Sequence, residues 1–475
     1  MGLAHSPHQA TRRSNIGLVM TYSTSAHWKT AGEVKLLRPI GVKHPRIEDG
    51  FLVAVQNNSF SIKSQGLTKD LDDSVLALEI LYSPKESFRL QGKVKLESPE
   101  VFRFLVDERD HSVFSKFLTK LRKDQHIHLC ESFDVESVGR HTGFQELAFV
   151  NNSLPELDMS EIDTSVEFMQ QKFSLPIFIV GMTGGISKGQ AINETLAKIA
   201  CEFSIPMGVG SQRIAIENPE YESIFTLKDK FPKLFLIGNL GFSDLLTMDN
   251  PVAACKRAIE MIQADALAIH VNVLQECLQI EGNMNFKGAF ATIEKICKNI
   301  DTPIIIKEVG AGISPQIALR LKDVGVFAID IGGKGGTSWS YIEGLRSKSP
   351  DLHDIAVSFR DWGIPTAYNL AAYQKHELSL PLLATGGIRD GQTVAKACAL
   401  GASMCGIGLP LLRAALESED KLRSALLVFK RQLMITMMAT GSRSLEDLKK
   451  SICLGHPYEQ EFKDYLSSIR SRNHL

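Results

Sequence analysis

The chain has no apolar run that reaches the ~18 residues needed to cross a bilayer. It has no excess of either charge: 53 Lys and Arg stand against 54 Asp and Glu, a formal net charge of −1. That balance argues against broad binding to nucleic acid or to a membrane surface. The opening, MGLAHSPHQATRRSNIGLVM, carries two arginines but lacks the apolar core of a secretory signal. The eight cysteines (Cys130, Cys201, Cys255, Cys277, Cys297, Cys398, Cys405 and Cys453) form no CxxC pair. Scattered and mostly in apolar surroundings, they read as buried thiols of a reducing, cytoplasmic protein. No repeat or low-complexity tract is visible. What remains is an ordinary soluble composition, 44% hydrophobic and 23% charged. The 475 residues suffice for one large domain of roughly 250–350 residues and a smaller one.

Two regions differ in pattern. Residues 1–118 are rich in alternating stretches such as FLVAVQNN, SFSIKS, LALEILYS and QGKVKLES, which predict a few antiparallel strands in a small β-rich, α+β region. From 119 to 475 the pattern becomes apolar strand, glycine-rich turn, amphipathic helix, repeated. Eight strands can be read: LPIFIVG, IPMGVG, LFLIGNLG, ALAIHVN, PIIIKEVG, VFAIDIGG, LPLLATGGI and SMCGIGLP. They are aliphatic runs rather than alternations, as expected of parallel strands covered on both faces. Eight such units predict an α/β fold of the TIM (β/α)8 barrel type, with a doubly wound open sheet as the alternative.

In such barrels the chemistry gathers at the carboxyl ends of the strands, and here nearly every end is polar or glycine-rich. The first carries Met182, Thr183 and Gly184, the second Ser211, Gln212 and Arg213, and the third Asn239. The fourth turns from an apolar run into His270, Asn272, Gln275 and Glu276. Glu276 is a candidate Mg²⁺ ligand, because a hard cation favours carboxylate oxygen and can draw its other ligands from phosphates. The fifth offers Lys307, a cation for an electron-rich centre or a phosphate. The sixth leads through four glycines to Thr337. The seventh and eighth carry Gly386-Gly387-Ile388 and Gly408-Leu409, where barrels often bind phosphate through glycine N–H groups and a helix N-terminus. Ahead of the barrel, Arg122, Lys123 and His126 form a basic cluster suited to a diphosphate.

Together, RKDQHI, NNSLPELDMSEIDTS, MTGG, MGVGSQR, GNLG, ALAIHVNVLQE, PIIIKEVG, GGTSW with IEGLR, DWGIPTA and ATGGIRDG resemble the type 2, FMN-dependent isopentenyl-diphosphate delta-isomerases, from about Arg122 to about Leu416. The resemblance implies conversion of isopentenyl diphosphate to dimethylallyl diphosphate with reduced FMN, Mg²⁺ and NADPH. It implies that FMN meets Met182, Thr183, Gly184, Ser211, Asn239, Lys307 and Thr337, with its phosphate on Gly386, Gly387, Ile388, Gly408 and Leu409. Substrate would meet Arg122, Lys123, His126, Ser211, Gln212, Arg213, Asn272 and Gln275. Glu276 would take Mg²⁺, and Gln275, Lys307 and His270 would serve catalysis. It further implies a homo-oligomer, a tetramer or octamer. Val273 stands where the family commonly has proline, which leads us to expect a looser turn before Gln275. The rival on the same fold is an FMN-dependent oxidoreductase of the hydroxy-acid oxidase type. It would want a catalytic histidine with an arginine pair and would have no use for Gln275-Glu276. A short segment near the start, YSTSAHWKTAGEV, resembles the opening of GHMP-type kinases over a dozen residues. Trp28 stands at that family's glycine and no phosphate loop follows, so no kinase activity is expected.

Overall fold

The computed structural model describes residues 41–454, apart from 45–46, 56–58, 64–74, 84–85, 99–100, 183–186, 280–281, 348 and 377. The kinase-like segment YSTSAHWKTAGEV, and Thr183 and Gly184 of the expected cofactor set, lie outside the described residues. The chain divides into two units, Met1–Leu121 with Leu345–His353, and Arg122–Gly344 with Asp354–Leu475.

In the first unit, strands β1 (Gly41–His44), β2 (Ile47–Val55), β3 (Ser59–Lys63), β4 (Val75–Ser83), β5 (Glu86–Ser98) and β6 (Val101–Val106) close into an antiparallel barrel in the order β1-β2-β3-β6-β5-β4. The alternation of β5 explains its two faces: Phe88, Leu90 and Val94 are buried, while Arg89, Gln91 and Lys93 are exposed. Gly92 lies on the inner face, where a side chain would collide with the Leu105 carbonyl of β6. Phe117 meets Phe88 edge-on at 5.4 Å and stacks on Phe114 at 5.9 Å, which anchors the start of the helix His111–Ser132 on this core. Alternation gave the strands; their closure into a barrel is new.

The second unit contains the expected parallel barrel. A short strand β7 (Leu147–Phe149) precedes it, and a hairpin of β8 (Val166–Phe168) and β9 (Gln171–Phe173) sits just before the first barrel strand. The two turn residues of the hairpin, Met169 and Gln170, both have positive φ, the geometry that matches strand twist in a two-residue turn. The wall is β10 (Ile177–Ile179), β11 (Met207–Gly208), β12 (Leu236–Gly241), β13 (Ala266–His270), β14 (Ile304–Lys307), β15 (Ala328–Asp330), β16 (Leu382–Ala384) and β17 (Met404–Ile407). Neighbours in sequence are neighbours in space, and β17 pairs with β10 to close the ring. Each of the eight apolar runs read from the sequence supplies one strand. Ala266, Leu267, Ala268 and Ile269 are all buried, because helices cover the outside while the barrel core fills the inside. Helix starts are fixed by side-chain caps: Asn250 accepts from Ala253 N at 3.1 Å and Asp390 from Thr393 N at 2.6 Å. A last strand, β18 (Ile452–Leu454), pairs with β7.

The amino end of the barrel is apolar. Phe168 and Phe173 of the hairpin join Phe178, Phe235, Ile237, Ala266, Ile305 and Leu383 in one cluster, with Phe173 edge-on to Phe235 at 5.4 Å. Among the described residues, no helix is long and apolar enough to cross a membrane. Among the described residues the cysteines form no disulfide, and most of those whose side chains are described are at least partly buried. Cys277 departs from the expected burial: it is exposed, on the outer side of the helix that carries Glu276.

Candidate functional site

The carboxyl ends of β10–β17 gather the polar residues. The helix His111–Ser132 contributes Arg122, Lys123 and His126 to this unit. The Lys123 ammonium reaches the Ser211 carbonyl at 3.5 Å, which joins the basic cluster to the end of β11. Burial, reinforced by neighbouring Arg122 and Arg213, pushes the Lys123 pKa down to about 7. Arg213 is held by two carboxylates, Glu217 at 2.7 Å and Asp244 at 2.6 Å, which fixes its guanidinium at the same rim. Gln212 is different. It is fully buried, and its carboxamide donates to Ala258 O at 2.8 Å and accepts from Asn239 N at 2.9 Å. The structure engages this side chain in the wall behind β12 rather than in the mouth.

Asn239 carries this scaffold inward. Its amide nitrogen donates to Val209 O at 3.0 Å, so its oxygen faces His270 Nδ1 at 2.9 Å. That arrangement places a proton on Nδ1 and leaves Nε2 as a lone pair. Burial, then the nearby Lys307 charge, pushes the His270 pKa down to about 4, so the ring is neutral at physiological pH. His270 and Lys307 are register partners on β13 and β14, and Lys307 pairs in turn with Asp330 on β15. Asn239, Lys307 and Asp330 line one hollow with the small residues Gly181, Gly208, Gly238 and Ala268, a floor on which a flat ring can lie. Burial raises the Asp330 pKa to about 6, opposed by Lys307 and by the Thr385 hydroxyl that it accepts.

Glu276 lies in the first turn of the short helix Val273–Leu278 and is buried. Its carboxylate accepts from Asn272 Nδ2 at 2.9 Å, Ser243 Oγ at 3.1 Å and Asn283 N at 2.7 Å. A carboxylate has about four acceptor positions, so one remains open. Asn272 Oδ1 is buried without a hydrogen-bond partner. The open position is on Oε2, and an anionic oxygen suits a hard cation that takes its other ligands from phosphate and water. Among the described residues no cluster of three His, Cys, Asp or Glu could hold a metal, so this site would share its ion with a ligand. The helix starts at Val273, the position of the missing proline, with Asn272 as its N-cap.

Gln275 points to a residue that sequence reasoning did not select. Its Nε2 donates to Glu343 Oε1 at 3.0 Å, and the same oxygen meets His126 Nε2 at 2.9 Å. Glu343 is buried on the helix Trp339–Arg346, four residues after Trp339, and Trp339 meets the His126 ring edge-on at 5.1 Å. The quoted IEGLR motif contained Glu343; its i, i+4 relation to Trp339 is the signal that could have found it. Ser243 and Asp244, on the short helix Phe242–Leu245 that directly follows β12, and Asn283, on a loop, were also missed, since no local pattern marks them.

The glycine elements form the remaining wall. Gly386 and Gly387 both have positive φ, and side chains there would overlap Gly333 and Gly335 of the preceding loop. Ile388 is buried beneath them. Gly408 and Leu409 begin the helix Leu409–Glu417, and a side chain on Gly408 would approach Val180 and the Met182 sulfur. Thr337 lines a cleft with Gln275 and Trp339. Free backbone N–H groups at a helix start beside glycine-only turns suit a phosphate.

Residues 246–454 match the family described as FMN-dependent dehydrogenase. An isopentenyl-diphosphate delta-isomerase of Thermococcus kodakarensis is 44% identical over 340 residues, covering 70% of this chain and 90% of that protein. Those of Archaeoglobus fulgidus and Nostoc are 41% and 39% identical, covering 70% of this chain and 94% and 95% of theirs. A solved flavocytochrome b2 mutant with pyruvate bound is 16% identical and covers 74% of this chain and 90% of its own, with a TM-score of 0.51, a likeness of fold. The length and identity of the isomerase matches, with the eight-stranded barrel and the polar mouth, place the chain in the type 2 isopentenyl-diphosphate delta-isomerase family.

Proposed function

We propose that the chain is a cytoplasmic homo-oligomer, a tetramer or octamer, that converts isopentenyl diphosphate to dimethylallyl diphosphate with FMN, Mg²⁺ and NADPH. The observation that carries the reading is Glu276, a buried carboxylate in the same mouth as the basic cluster, with two donors on Oε1, one on Oε2 and an acceptor position left open on Oε2. Bound FMN, kept reduced by NADPH, supplies an electron-rich ring that stabilises positive charge on the alkene and an acid–base group for the allylic proton shift.

The chain's own groups position and screen. Arg122, Lys123, His126, Ser211 and Arg213 hold the diphosphate, with Glu276 sharing Mg²⁺ with it. A held diphosphate fixes the alkene, and such positioning lowers the barrier by removing motional freedom. Lys307, Asn239, Met182 and Thr337 would hold the flavin ring, and Thr183 and Gly184 are assigned to it by the resemblance alone. Gly386, Gly387, Ile388, Gly408 and Leu409 take its phosphate. Neutral His270, aligned by Asn239, presents a lone pair without adding charge that would oppose a developing cation. Gln275 is a weak base by itself, but Glu343 lies one hydrogen bond behind it and His126 one further, so a proton reaching Gln275 has a path to a buried carboxylate. Gln212 contributes by fixing Asn239 rather than by touching substrate.

The test is incubation of the purified chain with isopentenyl diphosphate, FMN, Mg²⁺ and NADPH, with product separated and identified. Dimethylallyl diphosphate is expected, with no net consumption of NADPH per turnover. Oxidation of a 2-hydroxy acid without isomerisation would replace this reading by the oxidase one.

A further inference from the structure

The segment between the helix His111–Ser132 and β7 does more than connect them. Residues 134–142 lie against the two glycine loops. Ser137 N donates to Gly336 O at 2.9 Å and Ser338 N to Val135 O at 2.8 Å, an antiparallel bridge centred on Glu136 and Thr337. Thr142 packs where any side chain on Gly335 or Gly387 would begin. The segment therefore touches the loop after β15 and the loop after β16 together.

Glu136 is the charged centre of this strap. Its side chain is only 5% exposed, and one oxygen accepts Nε of Arg389 at 2.8 Å and a second nitrogen of the same guanidinium. The other oxygen accepts Arg140 Nε at 2.9 Å. The Glu136 carbonyl accepts Arg360 Nε at 2.8 Å. Arg389 follows Gly386-Gly387-Ile388 directly, donates to Ile388 O at 2.9 Å, and lies 3.4 Å from where a side chain on Gly336 would start. A guanidinium at the rim of a phosphate cradle would ordinarily turn inward to the anion. Here a buried carboxylate holds it outside, against the backbone of the cradle.

We propose that Glu136 and Arg389 are positioning residues that brace the two glycine loops in the shape that receives the cofactor phosphate. The brace acts through loop geometry: Arg389 ties the loop after β16 to the strap, and the strap ties itself by backbone pairing to the loop after β15. This inference rests on the FMN reading of the cradle. The two possible roles of Glu136 have opposite signs. If it acted only by its charge, removing it would strengthen binding of an anion nearby. If it braces, removing it weakens binding.

The experiment titrates the full-length apoprotein with FMN and with riboflavin, which has the ring but no phosphate, following flavin fluorescence. The wild-type chain is expected to prefer FMN. Glu136→Gln should weaken FMN by about tenfold, the scale of one charge-assisted hydrogen bond, and leave riboflavin within about twofold. Glu136→Asp should recover part of the loss, and Glu136→Gln with Arg389→Gln should be no worse than Arg389→Gln alone. Unchanged or tighter FMN binding by Glu136→Gln overturns the brace, as does equal weakening of both flavins. Should Glu136→Gln not fold, Arg389→Lys, which keeps the charge but loses the fork, must show the same selective loss or the brace is refuted. A wild-type chain that binds both flavins equally removes the phosphate cradle itself, and with it the FMN reading.

Discussion

The two ends of the eight-stranded barrel are made of different materials. The amino end is closed by the β8–β9 hairpin, whose phenylalanines join a cluster of aromatic and aliphatic side chains. The carboxyl end holds buried carboxylates, amides, a histidine and a lysine, several with shifted pKa values or an unsatisfied oxygen. One end lowers the energy of the fold; the other carries groups whose burial opposes folding and is retained for chemistry. The difference teaches that stability and activity should separate cleanly along the barrel axis.

The strongest test of that separation is Glu276→Gln. If Glu276 holds Mg²⁺ as proposed, this change should lower kcat/KM by roughly 10³-fold, while the melting temperature stays constant or rises. A large fall in thermal stability instead would mean that the mouth also supports the fold. The mirror experiment is Phe173→Ala at the other end. It should destabilise by about 3–5 kcal/mol in denaturant melts, with kcat of the folded fraction nearly unchanged. A kcat loss matching the stability loss would break the comparison.

A third experiment uses the Lys123 pKa of about 7. This value lies below that of a lysine in the unfolded chain, so burying the protonated form costs stability. The cost is full below about pH 7 and vanishes as pH rises through the unfolded pKa, near 10.4. A bound diphosphate favours the charged form. Calorimetry of inorganic pyrophosphate binding in buffers of different ionisation heat should therefore show uptake approaching one proton at pH 8–9, fading below about pH 6. Uptake that persists in Lys123→Met would assign it to another group. The smallest effect belongs to Val273→Pro. The site is half exposed and is the first residue of its helix, where proline fits. A gain of about 0.4–1 kcal/mol is expected, with kcat within about twofold. A loss would show that the turn before Gln275 depends on Val273.

Much of this arrangement could be read from the chain alone, for a physical reason. Parallel strands covered on both faces must be continuous aliphatic runs, so PIIIKEVG and ALAIHVN announce themselves, and their polar ends follow from where each run stops. Closure of the first six strands was not legible, since alternation fixes which face is buried but not which strands pair across distance. Glu343 and Glu136 escaped for a related reason. Glu343 meets Gln275 from 68 residues away, and Glu136 meets Arg389 from 253. Gln212 was drawn toward the substrate by its neighbours Ser211 and Arg213. A β-turn-helix junction, however, can aim successive side chains in opposite directions, and this one faces the wall.

Both large sheets of the molecule close on themselves. A ring of strands leaves no row of open N–H and C=O groups to recruit another chain. Copies of this protein that associate cannot do so by extending either of these two walls, and the 13-residue strand β5 carries none of the templating hazard that its length would create in an open sheet.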